Sequence, residues 1–317
     1  MRGIRLVPEE SNINFIGLRV LAYMVSFAII LGSIGLTANQ GLNFGIDFTG
    51  GTLIEIKTPE TPDLTAMRNR LNNLQLGTIS IQEFGEKNDL LIRFPEQQAV
   101  MNDDVEEGDP NTLAIEKVSA EINNIFEGKT VTYRRVEFVG PQVGEELKQQ
   151  GLWAIIFSLA GILAYIWMRF EWQFGVAAVV ALAHDSIATI GLFALTQMEF
   201  NLSTVAAILM IAGYSINDTV VVFDRIRENL RKYKKKPLNE LFNFSVNQTL
   251  GRTLMTSLTT LLALVALYYF GGEVIRGFVY ALIFGIVIGT YSSIFVASPV
   301  LMMMNIKRPD MEGPSGE

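Results

Sequence analysis

Six long apolar runs, at 15–36, 151–168, 174–196, 201–223, 252–270 and 277–303, alternate with short polar segments along most of the chain. An α-helix needs ~17–25 apolar residues to cross a hydrocarbon core of ~30 Å, so six transmembrane helices are predicted. The pattern breaks between the first two runs. Residues 37–150 read as strand (52–57), helix (61–74), strand (78–84), strand (89–94), helix (110–126) and strand (130–139). In the second helix Ile115, Val118, Ile122 and Ile125 recur at helical spacing and predict one buried face. The order βαββαβ predicts a small ferredoxin-like domain with its helices on one sheet face. The expected fold is therefore an α-helical polytopic membrane protein carrying a small α+β domain between its first two helices. The acidic stretch 102–109 is expected to be a solvated loop within that domain.

Charge orients this arrangement. Of 317 residues 50% are hydrophobic, and the net charge is −7, unevenly distributed. Residues 39–150 hold 10 Lys and Arg against 19 Asp and Glu, while the remainder holds 15 against 13. An acidic block joined to a mildly basic membrane part argues against nucleic acid as a partner and for lipid. Arg2 and Arg5 in the 1–14 segment, Arg169, the seven cations of Arg225–Lys236 against the single Glu228, and Lys307 with Arg308 in the 304–317 tail fall on one side of the six spans. By the positive-inside rule that side is cytoplasmic, with both termini inside and the acidic domain outside. Within the basic loop 224–251, Leu238, Leu241, Phe242, Ser245, Val246 and Thr249 share a helical face and predict a helix lying at the membrane interface. The first run is not a cleavable signal, being too long and lacking a small-x-small site. No cysteine is present, which excludes disulfides and thiolate metal sites, and the one histidine, His184, leaves no basis for a histidine metal centre. No metal or other cofactor is expected.

Ionisable residues inside the apolar runs are the candidate chemistry, because a charge in hydrocarbon costs at least ~2.5–3.5 kcal/mol. Asp218, beside Asn217, lies 17 residues beyond Asn201, where the fourth span begins; at ~1.5 Å per residue that is ~25 Å into the membrane. Arg252 opens the fifth span at nearly the same level, followed by the hydroxyls of Thr253, Thr256, Ser257, Thr259 and Thr260. The pair reads either as a structural ion pair or as part of a proton path that the hydroxyls keep wet. His184 and Asp185, near the middle of the third span, read either as a proton relay or as a satisfied polar contact between helices. Gly277, Ala281, Gly285, Gly289, Ser293 and Ala297 recur every fourth residue and form a ridge for close helix packing. Gly45-Ile-Asp-Phe-Thr-Gly-Gly51, containing Asp47 and Gly50, lacks the Gly-Lys-Ser/Thr ending of a phosphate loop and reads as a turn. Val139-Gly140-Pro141-Gln-Val-Gly144 reads as a break between the last strand and the second span.

These segments together resemble the SecD/SecF family of the resistance-nodulation-division superfamily. The resemblance is carried by Gly45–Gly51, Val139–Gly144, Tyr214–Asn229, Asn247–Thr260, Gly272–Gly277, Gly289–Ile294 and Ala297–Pro299, in the family's order over nearly the whole chain. It implies a non-enzymatic accessory subunit of the bacterial Sec translocon in the cytoplasmic (inner) membrane. It also implies a partner, SecD, completing a twelve-span unit that uses protons as coupling ion to help move preproteins after the SecA-driven step. SecYEG and YajC are further implied partners. Carried over by position, Asp218 and Arg252 match the family's proton-transfer pair, and His184 with Asp185 fall in its third-span pattern. The rivals are half of a small-molecule exporter of the same superfamily, a scaffold that only stabilises the translocon, and an intramembrane aspartyl protease using Asp185 and Asp218. The protease needs two carboxylates sharing a proton, whereas helix rise separates these by roughly 8–10 Å.

Overall fold

The computed structural model describes residues 12–97, 109–272, 275–304 and 306. Arg2, Arg5, Lys307, Arg308 and residues 102–108 of the acidic loop lie outside the described residues. In chain order the elements begin with a 3₁₀ turn (Ile16–Leu18) that leads into α1 (Arg19–Gln40). There follow α2 (Ile46–Thr49), β1 (Gly51–Lys57), α3 (Leu64–Asn72), β2 (Ser80–Phe84), β3 (Glu86–Phe94), α4 (Pro110–Ile125) and β4 (Thr132–Val139). The remaining helices are α5 (Pro141–Arg169), α6 (Trp172–Thr196), α7 (Leu202–Lys232), α8 (Leu238–Phe270) and α9 (Arg276–Ser292). After α9 the chain widens into a π-helical turn (Ser293–Ala297) and ends in α10 (Ser298–Met303). Among the described residues six helical segments are long and apolar enough to cross a membrane: Ile16–Gln40, α5, α6, α7, α8 and Arg276–Met303. The chain divides into two units, Phe44–Trp153 and the remainder.

In the Phe44–Trp153 unit the strands lie in the order β2-β3-β1-β4, and every neighbouring pair is antiparallel. This is the split βαβ arrangement expected from the element order. Ile54 and Ile56 of β1 and Leu90 and Ile92 of β3 point to one face, because strand side chains alternate. They are buried there against Met67 and Leu71 of α3 and Val118 and Ile122 of α4. Helix α3 starts where the Asp63 carboxylate accepts from the backbone N–H of Thr65 and Ala66. The Gly45–Gly51 stretch contains a short helix, α2, that the sequence pattern did not predict, with Gly45 as its N-cap. Gly50 and Gly51 follow it with φ of +69° and +108°, the left-handed region that favours glycine. Close approach forbids a side chain here as well. A Cβ on Gly50 would lie 2.8 Å from the Cα of Pro141, and one on Gly144 would lie 3.1 Å from the Gly50 nitrogen. The two glycine motifs, read from sequence as a turn and as a separate break, therefore pack on one another. The break expected between the last strand and the second span is reduced to Gly140, since β4 ends at Val139 and α5 begins at Pro141, ten residues before the apolar run at 151. Proline suits such a start, where its missing N–H is not needed.

The helical unit is built on close contacts between small residues. A Cβ on Gly285 would strike the Cγ1 and Cδ1 atoms of Ile211, so α9 and α7 meet with almost no side chain between them. A Cβ on Gly191 would strike Ser33, which brings α6 equally close to α1. Gly277 is looser, its nearest neighbour being the Met198 methyl at 3.5 Å. At one end of the unit Phe170, Phe174 and Phe223 form a buried aromatic cluster.

A basic loop over 224–251 with a separate interfacial helix does not form. Helix α7 extends to Lys232, and α8 begins at Leu238 and runs through Arg252 without interruption. The physical reason is phase. Val246, Leu250, Thr253 and Ser257 continue the stripe begun by Leu241 and Phe242 at three- and four-residue spacing, and all are buried. That stripe packs with Phe223, Ile226 and Leu230 of α7 rather than facing lipid headgroups. Asn229 on α7 adds a polar tie, donating to Ser245 Oγ at 2.8 Å and Gln248 Oε1 at 2.9 Å. The carboxamide of Asn247 grips the chain ahead of α1, accepting from the Ile13 nitrogen and donating to the Ile13 carbonyl, each at 2.9 Å.

Replacing Gly285 by valine should force α7 and α9 apart and cost about 1–3 kcal/mol, as overpacking of a filled interior does. Gly277→Val, where only a methyl group lies at contact distance, should melt close to the parent. Thermal unfolding of both variants in detergent checks this, and equal melting temperatures would contradict the packing described.

Candidate functional site

Among the described residues two carboxylates are buried inside the helical unit, and they are held very differently. Asp185 on α6 is 1% exposed and Asp218 on α7 is 4% exposed. Asp185 Oδ1 is 2.9 Å from His184 Nδ1, while its Oδ2 accepts from Ser215 Oγ of α7 at 2.5 Å and from Ser292 Oγ of α9 at 2.7 Å. One carboxylate thus joins three helices. The join depends on Gly289, one turn before Ser292, where a Cβ would lie 3.1 Å from the Cβ of Ser215. His184 is buried with Asp185, and its ring centroid is 6.0 Å from that of Tyr291. Tyr291 in turn donates to the Ala22 carbonyl of α1 at 2.8 Å.

Asp218 lies one helical turn beyond Ser215 on the same face of α7. Its Oδ1 accepts from Thr253 Oγ1 of α8 at 3.1 Å, and its Oδ2 has no hydrogen-bond partner among the described residues. Beside it a short chain of hydroxyls links three helices: Tyr214 Oη donates to Ser257 Oγ at 3.4 Å, and Ser257 Oγ lies 2.7 Å from Thr290 Oγ1. No hydrogen bond joins the two carboxylates, and each has its own set of partners. The arrangement offers no shared-proton dyad of the aspartyl-protease kind. Asp185 is a saturated carboxylate whose position is fixed. Asp218 has one oxygen engaged and one without a hydrogen-bond partner among the described residues.

Several sequence expectations need correction at this site. Arg252 is exposed and forms no ion pair with Asp218 among the described residues. Successive helix positions differ by ~100°, so with Thr253 bonded to Asp218 the neighbouring Arg252 lies to the side of that contact, near the carboxylate without pairing with it. Asn217 is exposed for the same reason, on a stripe of α7 with Ala206, Met210 and Gly213 that no described residue covers. The hydroxyl stripe of α8 is also narrower than its sequence. Only Thr253 and Ser257 face inward, whereas Thr256, Thr259 and Thr260 return their hydroxyls to carbonyls of their own helix. Ser215 and Ser292 were not singled out from sequence. The one available signal was the position of Ser215 a turn before Asp218, and nothing local marks its partner on another helix.

Comparison with known proteins bears on this geometry. A family model described as "Protein export membrane protein SecD/SecF, C-terminal" matches residues 117–307, and one described as "SecD/SecF GG Motif" matches residues 35–58. Among curated relatives, "Protein translocase subunit SecF" of Rickettsia bellii is 45% identical over 305 residues, covering 96% of this chain and 97% of the relative. The subunit of the same name from Cereibacter sphaeroides is 44% identical over 311 residues, covering 96% and 93%. Among solved structures, the translocon-associated membrane protein SecDF from Thermus thermophilus superposes with a TM-score of 0.83 at 36% identity. A structure of SecDF in a super-membrane-facing form gives 0.67 at 35%. This chain spans 40% of the length of either SecDF chain, which cover 95% and 96% of it.

The contrast between the two carboxylates makes a stability prediction. Asp185→Ala leaves the buried Ser215 hydroxyl and His184 without their acceptor, and Ser292 with the Gly289 carbonyl alone, and should cost at least about 1–3 kcal/mol. Asp218→Ala removes one hydrogen bond and should cost no more than about 1 kcal/mol. Thermal unfolding of the two variants side by side measures the difference, and a larger loss at Asp218 would reverse the assignment.

Proposed function

Since the chain belongs to the SecD/SecF family of protein export membrane proteins, we propose that it works as the SecF half of a SecD–SecF pair. The pair uses the proton motive force to assist preproteins through the SecYEG channel after the SecA-driven step, with YajC as an additional associate. The observation that carries this reading is the half-engaged carboxylate of Asp218, buried among α7, α8 and α9 one turn from a fixed anchor at Ser215. Protons are the coupling ion, and no cofactor is required.

The partner reading is supported by what the helices leave uncovered. Asn217 and Arg252 are polar, lie in or beside the spans and are exposed. Polar groups at such positions normally face a bundle interior or a water-filled path, so a second membrane protein of the SecD kind completes the surroundings of Asp218. In this reading Thr253 and the nearby charge of Arg252 stabilise Asp218 when it is ionised. Protonation weakens that hold, and α7 and α8 shift while Ser215 stays tied to Asp185. One charge crossing ~100 mV releases ~2.3 kcal/mol, enough to change a two-state population some tens of fold. Arg169 at the end of α5 and the cations of Arg225–Lys236 support a placement of those ends on the cytoplasmic side of a bacterial inner membrane. Both termini are then cytoplasmic, and the Phe44–Trp153 unit is outside, where it meets the emerging preprotein.

Asp218→Asn should abolish the stimulation of export by a proton gradient in vesicles holding the whole complex, while the variant still co-purifies with SecD. Full gradient-dependent export in that variant would sink the proposal. Because the chain has no cysteine, a single Cys placed at Met210 or Gly213 reports contact directly. It should cross-link to cysteines scanned along the SecD helices, whereas one at buried Ala207 should not.

A further inference from the structure

Where α5 ends and α7 leaves the bundle, Arg169, Asp224, Arg227, Glu228, Arg231 and Lys232 surround a cleft of about 600 Å³. The α7 members recur at three- and four-residue spacing and so share one face of its last turns. Both carboxylates are already engaged. Asp224 accepts from Arg169 at 3.1 Å, and Glu228 pairs at 3.0 Å with Arg225, which is not part of the cleft. Arg231 has no acidic partner among the described residues, and Lys232 lies 5.4 Å from the ring of Tyr233. Two of the cations, Arg169 and Arg227, are held in place by neighbouring groups. Arg227 donates to the Arg169 carbonyl at 3.3 Å, at the C-terminal end of α5. The guanidinium carbons of Arg169 and Arg227 lie 5.0 and 5.9 Å from the centre of one ring, Phe170. That ring is buried and stacked on Phe174, with centroids 5.5 Å apart.

The surroundings indicate the level of the cleft in a bilayer. Trp167 and Trp172 flank Arg169 at the α5–α6 turn and are 74% and 59% exposed. Tryptophans at the end of a span mark the headgroup region, where one side of the ring is apolar and the other wet. Further along α6 the exposed side chains of Val176, Val179 and Val180 offer an apolar surface. Guanidinium forks match the oxygens of a phosphate, and basic pockets between helices at a cytoplasmic interface suit anionic headgroups.

We propose that this cleft binds the phosphate group of an anionic glycerophospholipid, with Arg227 and Arg231 on the phosphate and the acyl chains along the outer face of α6. The site rests on the placement of the six helices in a membrane and is independent of the role given to Asp218.

The test uses the full-length chain in bilayers whose lipids carry brominated acyl chains, which quench tryptophan. Quenching by brominated phosphatidylglycerol is compared with quenching by brominated phosphatidylcholine. The parent should prefer the anionic lipid, and Arg227→Gln combined with Arg231→Gln should reduce that preference about tenfold. Arg231→Gln alone, which removes no ion pair among the described residues, should produce part of the loss and guards against misfolding. Lys234→Gln with Lys235→Gln removes the same charge outside the cleft and should leave the preference unchanged. Equal loss in that control would mean diffuse surface charge. Unchanged preference in the cleft variants, or displacement of the lipid by inorganic phosphate, would equally overturn the proposal, the latter by making it a site for a free anion.

Discussion

Hydrocarbon offers no hydrogen bonds, so every polar group within a span must be answered by the protein or by something admitted to it. The interior of the helical unit is arranged around that demand at Asp185. Satisfying one carboxylate with Ser215 and Ser292 requires α6, α7 and α9 to converge on a point. Convergence in turn requires Gly289 beside Ser215 and Gly285 beside Ile211, since any side chain there would hold α9 away. The small-residue ridge and the buried serines are therefore two aspects of one requirement. The glycines bring the backbones together, and the hydroxyls make the approach worthwhile.

Helix α7 is consequently asymmetric. One face is bonded to Asp185 through Ser215 and to Thr253 through Asp218, and the opposite stripe through Ala206, Met210, Gly213 and Asn217 is bare. A helix anchored at one turn and only singly bonded at the next has its freedom concentrated at the second. That places adjustable chemistry next to an immovable reference, which suits a group whose charge is to change during work. The two carboxylates look alike in sequence, yet only their partners distinguish a rivet from a working part.

Much of this was legible in the residues because it depends on local period. The six spans, the βαββαβ order and the buried face of α4 follow from spacing, which tertiary contacts reinforce rather than override. Two kinds of feature were not legible. The first concerns direction around a helix axis: Arg252 and Thr253 are neighbours in sequence, but only contact with α7 decides which of them meets Asp218. The same holds for Asn217 against Asp218. The second concerns distant partners. Nothing near Gly50 announces that Pro141 and Gly144 will lie against it, and nothing near Asp185 announces Ser292. The continuity of α8 is an intermediate case. Its stripe stays in phase from Leu241 to Ser257, but the abundance of Asn and Glu in its first turns suggested a surface segment.

The grip of Asn247 on Ile13 has a consequence for the order of assembly. The two residues are 234 positions apart, and at ~5–20 residues per second a ribosome needs about 10–50 s to travel between them. Throughout that interval the first span lacks this tie while three later spans are made. The packing of Ser33 on Gly191 becomes available once α6 is made, the Asn247 tie only with α8, and the bond from Tyr291 to the Ala22 carbonyl only with α9, so α1 is secured in stages.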